Sequence, residues 1–398
     1  MNAEMRKGAC PTVQTPMASG DGLLVRVKPP GGRIAADAAR AVANASGRCG
    51  NGVLELTNRA NLQIRGLRAE TVADFAAVVL THGLAAAEPA AEIVRNVMTS
   101  PLGASDPSAD ADSHAMAEEI EALLAEEPGL RALPPKFGFL TDGGGAVPLT
   151  GVTADIGFRW TGGRLLATLD GTTVAAMIAP DALTETARAL ALAFLELAVP
   201  GQRMRDVDAE AVYRAAGLAT GPAPLLAPAP LPPVGIGSSY VGIGLPLGQI
   251  DAEILTALAG LAGAFGDGWL RLTPWRTVLI AGVQHGEELA EAAMGLGLAA
   301  MDNDPRLGIA ACVGGPACSS GTVPARRDAI LLAAAGIAGV HVSGCAKGCA
   351  LSRAAPITLV GNAGRYDVVR NGRAGDLPTE RGLAIGRAIA LLRPKVSA

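Results

Sequence analysis

Alternation of apolar and polar positions divides the chain into strands and helices. GDGLLVRVKPPGGRI (residues 20–34) predicts a strand and a turn, and an alanine-rich helix follows from about Ala35. GVLELTNRANLQIRGL (52–67) has the two-residue period of a strand pair around 57–59, and a second helix is predicted near residues 69–82. Strands that alternate with helices in this way favour an α+β or α/β fold.

The same order of elements returns in the second half of the chain. YVGIGLPLGQI predicts a strand and turn, residues 251–265 a helix, GWLRLTPWRTVLIAGV a strand pair and residues 285–294 a helix. LELTNR and LRLTPWR lie about 215 residues apart at matching places. A chance match would not preserve both order and spacing over several elements, so we predict an internally duplicated fold with pseudo-twofold symmetry. A proline-rich linker is predicted at residues 221–233.

Composition limits the class of protein. Of 398 residues, 49% are hydrophobic and 18% charged, which is typical of a well-buried enzyme and not of a disordered chain. The formal charge of -4 gives no indication of general nucleic-acid binding. The apolar runs are too short or too interrupted to span a bilayer, and MNAEMRKGAC lacks the apolar core of a signal peptide. We therefore expect a cytoplasmic location and no membrane partner.

Four of the six cysteines are crowded into residues 312–349, as Cys312-x5-Cys318 and Cys345-x3-Cys349. Zinc sites favour shorter spacings, whereas an iron–sulfur cluster accommodates wider loops. Neighbouring glycines would let backbone amides reach cluster sulfurs and raise the reduction potential. The alternatives are a zinc-stabilised binding protein without redox activity and four unrelated buried cysteines. GLGLAA follows a helix and not a strand, so we expect no direct NADH site.

These motifs together resemble the nitrite and sulfite reductase family. LTNRANLQ resembles its T-x-R-x-x-x-Q strand, RNVMTSPL its R-N-V stretch, LPPKFG its L-P-R-K-F-K stretch, and the cysteine spacing its cluster signature. The resemblance implies a 4Fe–4S cluster held by Cys312, Cys318, Cys345 and Cys349. It also implies that Arg59, Arg95 and Lys136 contact substrate and macrocycle carboxylates, for which guanidinium groups are well suited.

The resemblance implies an α+β fold of two ferredoxin-like half-domains paired about a pseudo-twofold axis, with two α/β lobes beside them. We predict the half-domains at residues 1–88 and 234–300, a basic, substrate-binding reductase-like lobe at 89–220 and a cluster-bearing lobe at 301–398, joined through the linker at 221–233.

Two departures from the reductase pattern fall at the substrate pocket. Gly138 replaces the second lysine of K-F-K, and Ala346-Lys347 replaces Pro-Asn between the last two cysteines. HVSGCAKGCA and RKGACPTVQTPMASGDGLLVR are instead similar to the branch of the family that works in aerobic cobalamin biosynthesis. That likeness implies an O2-dependent monooxygenase that hydroxylates precorrin-3A at C20 and closes a γ-lactone. It also implies a mononuclear non-haem iron, whose ligands the sequence does not locate.

NADH would then supply electrons indirectly, through a separate electron-transfer reductase. The alternative is a sulfite or nitrite reductase that carries sirohaem.

Other candidate residues have both functional and structural interpretations. Lys347 is a catalytic charge over the substrate face or a solvent-facing lysine, and Cys10 is a catalytic thiol or an incidental one. Asn96 and Gln63 are candidates for hydrogen bonds to the tetrapyrrole, or for capping and strand-edge roles. For Arg276, the repeat counterpart of Arg59, and for His341, at a strand end, we expect structural roles.

Overall fold

A computed structural model describes residues 10–224 and 232–393. Its strands are β1 Met17–Ser19, β2 Gly22–Val27, β3 Arg33–Ala35, β4 Val53–Leu56, β5 Leu62–Leu67, β6 Val97–Thr99, β7 Phe139–Asp142, β8 Ile156–Thr161, β9 Arg164–Leu169, β10 Val174–Ile178, β11 Gly221–Pro222, β12 Gly235–Ile236, β13 Tyr240–Gly244, β14 Gln249–Asp251, β15 Trp269–Leu272, β16 Thr277–Ala281, β17 Ile309–Ala311, β18 Val340–Ser343, β19 Ala355–Asn362, β20 Arg365–Gly372 and β21 Glu380–Leu383. Its helices are α1 Ala36–Cys49, α2 Val72–Thr81, α3 Pro89–Val94, α4 Ser113–Glu126, α5 Leu183–Leu197, α6 Ala209–Ala215, α7 Ala252–Phe265, α8 Gly286–Gly295, α9 Ala325–Ala334 and α10 Ile385–Leu392.

The two half-domains are antiparallel sheets that exchange one strand each. The first has the order β1-β2-β5-β4-β14 and the second β12-β13-β16-β15-β3. Thus β3 pairs with β15 of the second half, and β14 pairs with β4 of the first. Each exchanged strand follows a turn with a left-handed residue, Gly31 (φ 58°) or Leu247 (φ 57°). The exchange ties the two copies together through backbone hydrogen bonds.

One continuous hydrophobic core runs through both half-domains, and α1 packs against α7 across the pseudo-twofold axis. Apolar positions on alternate residues of β2, β5 and β13 supply this core, as their periodicity predicts. Helix α7 begins after Asp251, whose side chain accepts a hydrogen bond of 2.8 Å from the amide of Ile254.

The two lobes repeat a second sheet pattern, each with its own core. In the first lobe β6, β7 and β8 run parallel, and β9 and β10 continue antiparallel. In the second lobe β17, β18 and β19 run parallel, and β20 and β21 continue antiparallel. The predicted duplication therefore extends over the lobes. It also makes the loop after β18, which holds Cys345 and Cys349, the counterpart of the glycine-rich loop after β7.

The predicted linker differs from expectation at its start. Gly221–Pro222 pairs with β10 as the edge strand β11, where proline is tolerated because one side of the strand has no partner. Residues 225–231 of the linker lie outside the described residues, as do residues 1–9. No helix within 10–224 and 232–393 is long and apolar enough to cross a membrane.

Candidate functional site

The four clustered cysteines follow the ends of two neighbouring parallel strands. Cys312 comes directly after β17, and Cys345 is two residues beyond β18. The carboxyl ends of parallel strands meet at one sheet edge, so the two cysteine loops lie side by side. The amide of Gly344 donates a 3.0 Å hydrogen bond to Sγ of Cys312, which joins them. An amide aimed at a sulfur is the contact that the glycine-rich spacing predicts.

Backbone packing between the loops requires glycine. A Cβ on Gly344 would lie 2.9 Å from Cα of Gly314 and 3.4 Å from Sγ of Cys312. A Cβ on Gly314, whose φ is +67°, would lie 2.5 Å from the amide nitrogen of Ala325. A larger residue at position 344 would therefore push the two cysteine loops apart, and one at position 314 would push the first loop away from the start of α9.

The thiols are close enough to interact electrostatically. Burial raises the pKa of Cys349, the thiols of Cys312, Cys345 and Cys318 raise it further, and Lys347 opposes them. Among the described residues, no group of three or more His, Cys, Asp or Glu is arranged to hold a metal ion. Four thiols with an amide on one sulfur are donors that an iron–sulfur cluster takes, so the residues present fit such a cluster.

The first half-domain holds the loop of Cys312 and Cys318 in place. Arg65 on β5 donates a 3.0 Å hydrogen bond to the carbonyl of Ala317, next to Cys318. Asp21 fixes that guanidinium through two 2.9 Å contacts, and Ser19 also donates to Ala317. No pattern in the sequence singles out Arg65, because only the tertiary fold brings β5 to this loop.

A cleft of about 740 Å³ opens beside the cysteine loops. It is lined by the hairpin turns of both half-domains, by strand ends of both lobes and by residues 350–353, directly after Cys349. Five arginines contribute to its wall, and no Asp or Glu does so among the described residues: Arg59, Arg203, Arg276, Arg306 and Arg353. The wall of the cleft therefore carries positive charge and is suited to an anionic ligand.

The five arginines differ in their partners. Arg203 is paired with Asp155, and Arg306 with Asp304. In the described part of the chain, the guanidinium of Arg59 has one hydrogen-bond acceptor, the carbonyl of Lys136 at 3.3 Å. The guanidinium of Arg276 likewise has one, the carbonyl of Ala350 at 3.2 Å.

Burial lowers the pKa of both Arg59 and Arg276. Cys10 and Asp155 oppose this effect at Arg59, whereas Arg203 and Arg26 add to it. At Arg276 the charge of Arg326 adds to it and that of Glu55 opposes it. Arg276 had been expected to be structural, but the pseudo-twofold axis places it in the same cleft as Arg59.

The structure separates the other predicted basic residues from this cleft. The guanidinium of Arg95 is buried and contacts Glu92 at 2.8 Å and Glu121 at 3.5 Å. Burial opposes its charge, but the two carboxylates outweigh this effect and raise its pKa. Lys136 is exposed and meets Arg59 through its carbonyl. Substrate binding by Arg95 and Lys136 stays a prediction.

The two predicted amide groups already have protein partners. Asn96 lines the cleft, but its Nδ2 donates to the carbonyls of Ile93, Pro135 and Phe137 at 3.1–3.2 Å. Nε2 of Gln63 donates to Glu55 at 2.6 Å, within an ion network that includes Arg326.

The position at which the reductase pattern has a lysine is open. A Cβ on Gly138 would meet only the carbonyl of Asn96, at 3.6 Å. The cleft is therefore more spacious at that point than a lysine would allow.

The two candidate catalytic residues lie outside the cleft lining. Lys347 is exposed, and its Nζ donates to Oγ of Ser320 at 2.9 Å, which links the two cysteine loops. Cys10 is partly buried, with Nη1 of Arg26 at 4.0 Å from its Sγ. Catalytic roles for Lys347 and Cys10 stay predictions.

The fold and the sequence both have known relatives. Residues 15–80 and 235–292 match the nitrite/sulfite reductase ferredoxin-like half domain, one copy in each exchanged sheet. The NirA protein of Mycobacterium tuberculosis has a similar structure, with a TM-score of 0.71 at 20% identity, over 91% of this chain and 77% of that one. This match and the half-domain match confirm the predicted fold.

Two curated proteins extend the likeness along the chain. The ferredoxin–nitrite reductase of Synechococcus elongatus is 25% identical, over 86% of this chain and 77% of that protein. The precorrin-3B synthase of a Sinorhizobium species is 34% identical, over 98% of this chain and 88% of that protein. With this identity over most of both chains, the protein belongs to the precorrin-3B synthase family, within the larger nitrite and sulfite reductase family.

Proposed function

We propose that the chain is an O2-dependent oxidoreductase, a monooxygenase that converts precorrin-3A to precorrin-3B by hydroxylation at C20 and closure of a γ-lactone. The similarity to a precorrin-3B synthase supports the reaction. The observation that carries the proposal is the cleft beside the cysteine loops, with five arginines and no described carboxylate in its wall. Precorrin-3A is a flat macrocycle with several carboxylate arms, and this cleft offers complementary charge on several sides.

The electrostatics of the cleft favour such a ligand. A partly buried guanidinium without a carboxylate partner is unfavourable, and a ligand that brings carboxylates removes this penalty. Arg59 and Arg276 are in that position, on the equivalent hairpin turns of the two half-domains. A volume of about 740 Å³ lies within the range of small-molecule sites. The arginines would bind the arms and so orient the ring against the wall beside Cys349.

The four cysteines of the two loops would hold a 4Fe–4S cluster, which supplies electrons singly when bound. In the overall reaction one atom of O2 enters the substrate and the other leaves as water, with two electrons that NADH provides through a separate reductase. The mononuclear non-haem iron implied by the resemblance has no ligand set that we assign among the described residues.

The direct test is product formation under labelled oxygen. The purified protein, reconstituted with iron and sulfide, is incubated with precorrin-3A, ¹⁸O2, NADH and an electron-transfer reductase. We expect a product with one labelled oxygen atom, and no product when NADH is added without the reductase. A sirohaem absorption spectrum with nitrite or sulfite turnover, and no conversion of precorrin-3A, would instead establish a reductase.

A further inference from the structure

His341, at the centre of β18, is wholly buried and unpartnered. Its exposure is 0%, and neither Nδ1 nor Nε2 has a hydrogen-bond partner. Among the described residues, His341 is the one side chain in which two buried polar atoms are both unpaired. Buried polar groups are almost always hydrogen-bonded, because burial without a partner forfeits the hydrogen bonds that water would make. Among the described residues, the protein itself therefore supplies no hydrogen bond to this ring.

A second buried histidine in the same chain shows the usual arrangement. His114 is 2% exposed, and its Nε2 lies 3.1 Å from the carbonyl of Pro101. Burial lowers the pKa of both histidines to about 4. The two rings are therefore neutral near pH 7, and they differ in whether the protein supplies a partner.

The position of His341 indicates where its partner would come from. Its neighbours Val340 and, on the adjacent strand, Ala310 line the cleft. On the other side, Cε1 of the ring is 3.7 Å from where a Cβ on Gly348 would stand. Gly348 precedes Cys349. The ring thus lies between the wall of the cleft and the second cysteine loop.

We propose that His341 donates a hydrogen bond to the iron–sulfur cluster at the edge held by Cys349, and thereby raises its reduction potential. A neutral imidazole has one N–H to donate, and cluster sulfurs carry negative charge and accept such bonds. The amide of Gly344 already shows this type of contact at Cys312. The bond stabilises the more negative, reduced cluster, so its loss lowers the potential. This inference rests on the proposed cluster.

The test is pulsed EPR on wild-type protein that contains ¹⁵N-labelled histidine and a reduced cluster. We expect a ¹⁵N coupling, because His341 is the histidine placed beside the second loop, whereas His114 lies against Pro101 in the first lobe. In His341→Phe, with iron and sulfide content retained, the coupling should disappear. The reduction equilibrium should shift about tenfold, which is ~59 mV lower for a one-electron couple.

Two variants control for packing. Thr358→Val changes a buried residue that pairs with His341 across β18 and β19, and it should leave the coupling and the potential unchanged. His341→Gln keeps an N–H donor, so its cluster should retain most of the reduction potential that is lost in His341→Phe.

A wild-type protein with a cluster but without ¹⁵N coupling would overturn this inference, and this measurement stands even if His341→Phe fails to fold. A wild-type protein without iron and sulfide would overturn the proposed cofactor itself.

Discussion

Substitution of Arg276 can show whether its guanidinium binds a ligand or has a structural role. Its guanidinium is partly buried in the cleft, has one backbone acceptor at 3.2 Å and no carboxylate partner in the described chain. Replacement by glutamine in Arg276→Gln removes the charge and keeps a polar side chain at the same left-handed backbone position (φ 62°). Both residues pay the same conformational cost there, so the comparison isolates the charge.

The expected effects on binding and on stability differ. A charge-assisted hydrogen bond to a ligand carboxylate contributes about 1.5–3 kcal/mol. Its loss weakens binding about 10- to 150-fold. Without ligand, the variant loses one hydrogen bond of about 1 kcal/mol but also the penalty of a buried, unpaired cation. The free energy of unfolding should therefore change by no more than about 1 kcal/mol.

The assay is a fluorescence titration with uroporphyrin, a stable polycarboxylate tetrapyrrole, together with urea unfolding. Arg164→Gln is the matched control, because Arg164 is exposed on β9 and is not among the residues that line the cleft. Unchanged uroporphyrin affinity in Arg276→Gln, with a loss of several kcal/mol of stability, would refute the binding role and support the structural one.

The remaining predictions concern pairing, pH and the cluster. Arg203→Ala should lower the free energy of unfolding by about 3–5 kcal/mol in urea titrations, because it leaves the carboxylate of Asp155 buried without its cation; a change below 1 kcal/mol would contradict this. Burial raises the pKa of Glu121 to about 7, so its stabilising contribution is complete below about pH 4.5 and is lost as the pH rises to 7. Relative to Glu121→Gln, the wild type should lose up to ~3 kcal/mol over that range, and parallel pH profiles would exclude the effect. Cys345→Ser should abolish iron and sulfide binding and turnover, whereas Cys49→Ser, at a buried cysteine outside the loops, should retain the cluster by metal analysis.

The local pattern of apolar and polar residues predicted those helices and strands that depend mainly on their own residues. The strand pairs and the helices that begin at Ala36 and Ala252 follow from periodicity, because alternate or every third to fourth residue faces a core. The cysteine loops follow from spacing, since four thiols and their glycines lie within 38 residues. These features can be predicted without knowing which residues pack against them.

The partners of charged side chains could not be predicted in this way. The R-N-V stretch singles out Arg95 and the repeat singles out Arg276, but neither pattern shows which side chains they contact. Arg95 meets Glu92 and Glu121, which leaves it far less free to bind a ligand, and Arg276 meets no carboxylate in the described chain. A salt bridge depends on which residues the fold brings within 4 Å, and sequence separation contains no such information.

The sequence by itself determined the duplication, the positions of its strands and helices, and the four thiols, because each rests on short-range periodicity or spacing. Only the tertiary structure decided that β3 and β14 exchange sheets, that Arg65 holds the carbonyl beside Cys318, and that His341 is buried without a partner. The physical reason is that strand exchange, ion pairing and burial are set by contacts between residues tens to hundreds of positions apart.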